Sequence, residues 1–237
     1  MDIKKAFILA GGKGERLKPL TDKTPKVLID VYGKPIIEHN LLLLKSYGIE
    51  EVVLGTGVMH DQIEDALGKE KFGMKIHYSR ERNPQGTGGA LRLAKRFFRE
   101  TFVMINGDEM KEVDFSKMEK IHSENDAICT VALTEMEDPS DFGVVVMDGD
   151  RIVQFVQKPT LEDAPSKLIN AGAYILEPEI FKMMPRAGKF SLETEVFPKI
   201  AEMEKLYGSS CLRQWFPTDT YKRLERARPE WQELNPE

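Results

Sequence analysis

The chain has 237 residues, enough for one large domain, and its 41% hydrophobic and 31% charged residues are the balance of an ordinary globular protein with material for a core. No apolar run approaches the roughly 20 residues needed to span a bilayer, and residues 1–10 are too short an apolar stretch for a secretory leader. The net charge of −5 argues against nonspecific binding to nucleic acid or anionic membrane, and Cys129 and Cys211, far apart and in no CxxC pattern, read as unpaired thiols of a reducing cytoplasm.

Short β-rich runs alternate with helical patterns. KAFILA (5–10) opens the series and is followed by a helix over 35–47, with Pro35 at its first position, Gly48 as its stop and Ile37, Leu41 and Leu44 on one face. EVVLG (51–55), KIHYS (75–79) and TFVMIN (101–106) are the next strands, with a helix over 88–99 between the last two. AICTVALT (127–134), GVVVM (143–147) and RIVQFVQ (151–157) then follow in close succession, with a hairpin turn expected at MDGDR (147–151). AGAYIL (171–176) is a further strand. A last helix is expected after Ser191, restarting at Pro198, with Ile200 and Met203 pointing inward. The first half thus reads as a largely parallel sheet covered on both faces, and the second half makes the sheet mixed. In such sheets ligands sit at the carboxyl ends of the strands. There the glycines after the first strand would meet the acidic NGDE (106–109) after TFVMIN.

The stretch LAGGKGERLKPLTDKTPK (9–26) departs from the overall charge. Residues 10–30 carry a local +2, from Lys13, Arg16, Lys18, Lys23 and Lys26 against Glu15, Asp22 and Asp30. It is neither a dinucleotide fingerprint nor a Walker A loop, because the third glycine and the GK[ST] ending are missing. Pro19, Thr21 and Pro25 oppose a continuous helix, so the basic residues are expected on an extended loop. Such a loop can cradle phosphate oxygens with backbone N–H groups while an arginine grips them bidentately. A bland strand-to-helix turn is the alternative.

LAGGKGERLKPLTDKTPKVL resembles the signature of the sugar-1-phosphate nucleotidylyltransferases, LAGG-x-G-[ST]-RL-x-PLT followed by Pro-Lys, with Glu15 where Ser or Thr is usual. RERNPQGTGGAL (80–91), NGD (106–108), VQKP (156–159, with Gln157 for Glu), NAGAY (170–174) and SLETEVFP (191–198) resemble further family segments in the family's order. The resemblance implies an α/β, Rossmann-like three-layer fold with a mixed, mostly parallel sheet and an inserted sugar-binding portion. It implies a single domain over 1–237, with a nucleotide-binding half (1–110) and a sugar-phosphate-binding half (111–237); the family's longer members carry a C-terminal β-helix or acyltransferase domain, for which the closing RARPEWQELNPE reads as too short and polar, so no C-terminal β-helix domain is expected.

The reaction implied is attack by a sugar-1-phosphate on the α-phosphorus of a nucleoside triphosphate, giving a nucleotide sugar and pyrophosphate. The resemblance assigns Arg16 and Lys26 to the triphosphate, and it brings the backbone of Gly11, Gly12 and Gly86 near the nucleotide, with Glu81 near the base or ribose. Asp108 would bind Mg²⁺, for which a turn aspartate is the alternative. The family's second metal ligand lies in W-x-D-x-GT, where this chain has Pro217; the TDT variant (218–220) moves that role to Asp219, and a helix N-cap is the competing use. Lys158 would hold the sugar phosphate, and Asn170, Gly172 and Glu193 the sugar. The expected donor is GTP, with mannose-1-phosphate or a heptose-1-phosphate, and the alternative is CTP with glucose-1-phosphate or an alditol or choline phosphate. A sensing paralogue without turnover is the reading from another class. No nucleic-acid or membrane partner is expected, and a homo-oligomer would have to form through the core.

Overall fold

The structure is a computed structural model that describes residues 1–231; the end of the chain, from Gln232 on, lies outside the described residues. The strands are β1 (Lys5–Ala10), β2 (Asp30–Val31), β3 (Lys34–Pro35), β4 (Glu51–Thr56), β5 (Glu70–Lys71), β6 (Met74–Arg80), β7 (Phe102–Asn106), β8 (Glu109–Val113), β9 (Cys129–Glu135), β10 (Gly143–Asp148), β11 (Arg151–Gln157), β12 (Leu168–Leu176), β13 (Leu206–Ser209) and β14 (Leu212–Pro217). The helices are α1 (Ile36–Ser46), α2 (His60–Leu67), α3 (Gly86–Leu93), α4 (Phe115–Glu124), α5 (Ile180–Met183), α6 (Leu192–Glu195), α7 (Phe197–Glu202) and α8 (Tyr221–Glu230).

Ten strands form one sheet in the order β10-β11-β13-β9-β12-β7-β1-β4-β6-β5. β1 is central and parallel to both β4 and β7, and β4 is parallel to β6. β12 enters antiparallel between β7 and β9, which makes the sheet mixed. Period-two alternation splits each central strand between two apolar clusters. Phe7, Phe102, Met104 and Tyr174 join α7 through Phe197 and Ile200 on one face. Ala6, Ile8, Val103, Ile105 and Ile175 join α1 through Leu41 and Leu44, and α4 through Phe115 and Met118, on the other. Both faces are covered, so the strands carry continuous apolar runs. Among the described residues no helix is long and apolar enough to cross a membrane.

β12 contains one irregularity. From Asn170 to Tyr174 it advances four residues while its partner on β9 moves only from Leu133 to Val131. The excess is taken up around Gly172, whose φ is +64°. A Cβ there would stand 2.3 Å from Asn106 Nδ2, so only glycine fits.

Several sequence expectations need correcting. The segment after the glycines is not extended but folds into three 3₁₀ turns, Glu15–Leu17, Leu20–Asp22 and Lys26–Leu28. A third apolar cluster of Leu17, Ile29, Ile36, Met110, Leu224 and Trp231 seats this segment against α8. The helix expected over 88–99 starts at Gly86 and gives way after Leu93 to a 3₁₀ turn, Lys95–Phe97. Met203 is half exposed, because α7 ends at Glu202 and Met203 is only its cap. The antiparallel pair β8–β14 has no counterpart in the sequence reading.

Both cysteines are unpaired and buried. Burial pushes the Cys211 thiol up to about 11, and burial, with Glu193 adding to it, pushes Cys129 well above the usual thiol range. Neither should react with a thiol-specific disulfide reagent at pH 8 in the native protein, and both should react in urea. Rapid labelling of either in the folded state would contradict this packing.

Candidate active site

A cleft of about 400 Å³ opens where the ends of β1 and β7 meet the N-terminus of α3. Gly11, Gly12, Arg16, Lys26, Glu81, Gly86, Asp108, Asn170, Glu193 and Asp219 all line it, so most residues singled out from sequence converge here. Lys158 and Gly172 do not line it.

Charge dominates the wall nearest the loop after β1. The Lys26 side chain is 5% exposed, and its ammonium donates to Asp108 Oδ2 at 2.6 Å. Burial by itself would raise the Asp108 carboxyl, but contact with Lys26, aided by Lys111, outweighs it and holds the group below the usual carboxylate range. Asp219 is ion-paired to Arg16 and also receives Arg223 on both oxygens, at 3.0 and 3.1 Å. The buried Thr218 hydroxyl donates to the Asp108 carbonyl at 2.7 Å, which ties the TDT segment to NGD. The helix-cap alternative is real but falls on the neighbour: Thr220 Oγ1 accepts from Arg223 N–H as the N-cap of α8, leaving the Asp219 carboxylate at the cleft. Glu15 is exposed and lies near Lys13, and Lys18 pairs with Asp22; Lys23 is exposed as well.

Gly11 stands against Glu81, for a Cβ at 11 would lie 2.6 Å from Glu81 Oε1, whereas one on Gly12 would meet nothing within 4 Å. The Glu81 carboxylate accepts the Gln85 N–H at 2.6 Å; burial raises it, and that hydrogen bond offsets part of the rise. Gly86 begins α3 with φ +74°, and a Cβ there would collide with the Phe190 carbonyl at 2.3 Å.

On the opposite wall Glu193 accepts hydroxyl hydrogen bonds from Thr87, at 2.5 Å, and from Ser191. Both ends of the Asn170 amide are engaged within the protein: Nδ2 donates to Tyr174 Oη and Oδ1 accepts from Gly172 N–H. Gly172 lies behind, shaping β12. Lys158 follows the cleft-lining Gln157 at φ +49°, with its N–H bonded to the Phe142 carbonyl and its side chain exposed. Each histidine has partners away from the cleft: His39 the Val31 carbonyl, His60 Thr56, His77 Glu51 and His122 Thr130.

Sequence reasoning missed a cation behind the cleft floor. The Lys111 side chain is fully buried, and its ammonium donates to Glu109 Oε2 at 2.9 Å and to the carbonyls of Ala171 and Gly172 at 3.1 and 2.8 Å. Three acceptors satisfy its three donors. Glu109 in turn receives Asn106 Nδ2 and Trp215 Nε1. EMKEV gives no hint of this, since the two carbonyls come from some sixty residues further along the chain.

Six carboxylates (Glu81, Asp108, Glu109, Asp141, Glu193, Asp219) face two cations, Arg16 and Lys26, around the cleft. A glycine-led loop with paired acids and bases at parallel strand ends makes this an α/β protein with a charged cleft at the carboxyl ends of its strands. The nucleotidyl transferase family matches residues 5–233, and the chain belongs to it. It is 37% identical over 218 residues to the mannose-1-phosphate guanylyltransferase catalytic subunit beta of Danio rerio, covering 89% of this chain and 60% of that protein. It spans about three fifths of the length of this and similar curated relatives. A Bacillus anthracis protein described as a glucose-1-phosphate thymidylyltransferase, solved with sucrose, superposes with a TM-score of 0.89 at 26% identity, over 98% of this chain and 96% of that one. HddC from Yersinia pseudotuberculosis, solved with GMP-PN, does so at 0.77 and 27% identity, over 97% and 100%.

Replacing Lys111 by Met should cost about 3–5 kcal/mol, because Glu109 and two carbonyls lose their donor in the interior. Urea unfolding at neutral pH would measure this as a lowered midpoint. The lowered Asp108 value gives a pH signature. Its pairing contributes fully above the ordinary aspartate value of about 4 and is lost as pH falls through the lower folded-state value. Asp108→Asn should therefore lose less unfolding free energy than the parent as pH falls below about 4. Equal slopes would place the acid sensitivity elsewhere.

Proposed function

We propose that the chain transfers a guanylyl group from GTP to mannose-1-phosphate or a related sugar-1-phosphate, releasing pyrophosphate. The observation that carries this reading is the pair of cations, Arg16 and Lys26, each on a carboxylate beside an open glycine loop. A phosphate oxygen of the sugar-1-phosphate attacks the α-phosphorus, and the bond from that phosphorus to the oxygen of the departing pyrophosphate breaks. The attacking oxygen is already ionised, so no general base is needed, and catalysis rests on positioning and charge neutralisation.

Guanine is favoured by Glu81. An ionised carboxylate only accepts hydrogen bonds. Guanine offers it two adjacent N–H donors, at N1 and N2, where the corresponding edges of cytosine and uracil offer one donor position each. The guanylyltransferase relative and the neighbour solved with GMP-PN support the same base. On the sugar side, Glu193 and Asn170 are the candidates for hydroxyl contacts, and Lys158 for the sugar phosphate from its exposed position beside Gln157.

The acid-rich lining fits a divalent cation, because two polyanions enter such a cleft only with added positive charge. Asp108 and Asp219 supply hard oxygens, and Mg²⁺ is held by one or two carboxylates together with substrate phosphates. Once bound, it would neutralise charge developing on the phosphates. Arg16, more than half exposed, can leave Asp219 for a phosphate, whereas buried Lys26 stays at its post. The unpaired thiols suit a cytoplasmic setting.

Pyrophosphate release with Mg²⁺, measured across GTP, CTP, UTP, dTTP and ATP and a panel of sugar-1-phosphates, should be greatest for GTP with mannose-1-phosphate. Arg16→Ala and Lys26→Ala should each lower kcat/KM about 10²- to 10³-fold. A panel without turnover, while nucleotides still bind, would sink the enzymatic reading in favour of a sensor.

A further inference from the structure

Arg223 belongs to none of the motifs, yet it contacts three residues that line the cleft, Asp219, Asp141 and Phe142. It sits in the first turn of α8, where its own N–H donates to the cap, Thr220 Oγ1, at 3.3 Å. Its Nη1 reaches both oxygens of Asp219, and its Nη2 reaches Asp141 Oδ2 at 2.8 Å. The guanidinium lies 5.1 Å from the centre of the Phe142 ring. That ring meets Trp215 edge-on at 5.3 Å, and Trp215 Nε1 donates to Glu109. One planar cation therefore joins the carboxylate on the phosphate side to Asp141 and Phe142, which line the cleft together with Gly143 and Gln157.

The two arginines on Asp219 differ in freedom. The Arg16 side chain is 56% exposed and can follow an incoming phosphate, whereas that of Arg223 is 26% exposed and has its fork filled. With Arg16 drawn away, Asp219 and Asp141 would face each other across the cleft wall with Arg223 as the cation between them. An exposed ion pair alone contributes little. A fork shared by two carboxylates and an aromatic face fixes geometry in a way that a lysine cannot reproduce.

We propose that Arg223 is a positioning residue that holds Asp219 in place once the triphosphate takes Arg16, and sets the 141–143 segment against it so that both halves of the cleft are aligned together. This rests on the proposed nucleotidyl transfer with Asp219 on the metal–phosphate side.

The test compares Arg223→Lys, Arg223→Gln, Asp141→Asn and Asp219→Asn with the parent. Steady-state kinetics are run against each substrate, Mg²⁺ is titrated with nucleotide binding as the readout, and amide hydrogen exchange is followed across residues 138–143. Arg223→Lys keeps the charge and should still fold, so its kcat should fall about ten- to a hundredfold with KM for the sugar phosphate little changed. It should need more Mg²⁺ for half-maximal nucleotide binding. Exchange at 141–143 should quicken about tenfold in Arg223→Lys and Arg223→Gln, and to a smaller extent in Asp141→Asn. If Asp219→Asn is inactive while Arg223→Lys keeps parental kcat, Mg²⁺ requirement and exchange, the proposal for Arg223 is wrong and the proposed function stands. If Asp219→Asn keeps full turnover, the role of Asp219 falls and that of Arg223 falls with it. If the parent turns over no substrate pair, the proposed function is the part that has failed.

Discussion

The contact between the buried ammonium of Lys26 and the Asp108 carboxylate is the constraint on which the rest of the site depends. A lysine taken out of water must meet an anion, and removing either partner strands the other. The contact joins the folded loop after β1 to the end of β7, eighty-two residues on. It thereby fixes the two edges of the cleft before any ligand arrives. Lys111 with Glu109 repeats the same solution further back, and Arg223 joins Asp141 and Asp219 at the cleft wall. These three cations pair with four of the six carboxylates that line the cleft. An anion entering the cleft would then exchange partners with these groups rather than desolvate bare charge.

Much of the fold was legible in the sequence because the central strands are apolar on both sides of their alternation, which only a doubly covered sheet explains. Phe7 and Ile8 face opposite clusters, and both are fully buried. The helix limits were less legible. GTGGAL contains poor helix formers, yet the helix begins there, because Gly86 and Gly88 are required by Phe190 packed against them. Close packing from a hundred residues away leaves no local trace. Met203 read as an inward residue by spacing, and the spacing failed when the helix ended one residue before it.

The candidate site was legible where chemistry and loop geometry coincide, at the glycines, Arg16, Lys26 and Asp108. It was less so where function is shared among distant segments. TDT offered Asp219 and Thr220 to one helix start, and the sequence could not say which would cap it; the hydroxyl took the N–H, and the carboxylate stayed at the cleft. Arg223 and Lys111 were invisible for a related reason. In TYKRLERAR and EMKEV a basic residue looks solvated, and only the tertiary arrangement of acceptors shows otherwise.

The irregularity in β12 constrains how this chain can change length. The strand carries two residues more than its partner between Asn170 and Tyr174, and an even excess preserves the side on which every later side chain emerges. Tyr174 and Leu176 therefore stay with one core cluster, and Ala173 and Ile175 with the other. A one-residue deletion or insertion here would swap the two sets, bringing the tyrosine to the face of α1 and α4 and the small alanine to that of α7. Losing or gaining two residues would leave the parity intact. In descendants of this sequence, indels at this point are therefore expected to occur in pairs.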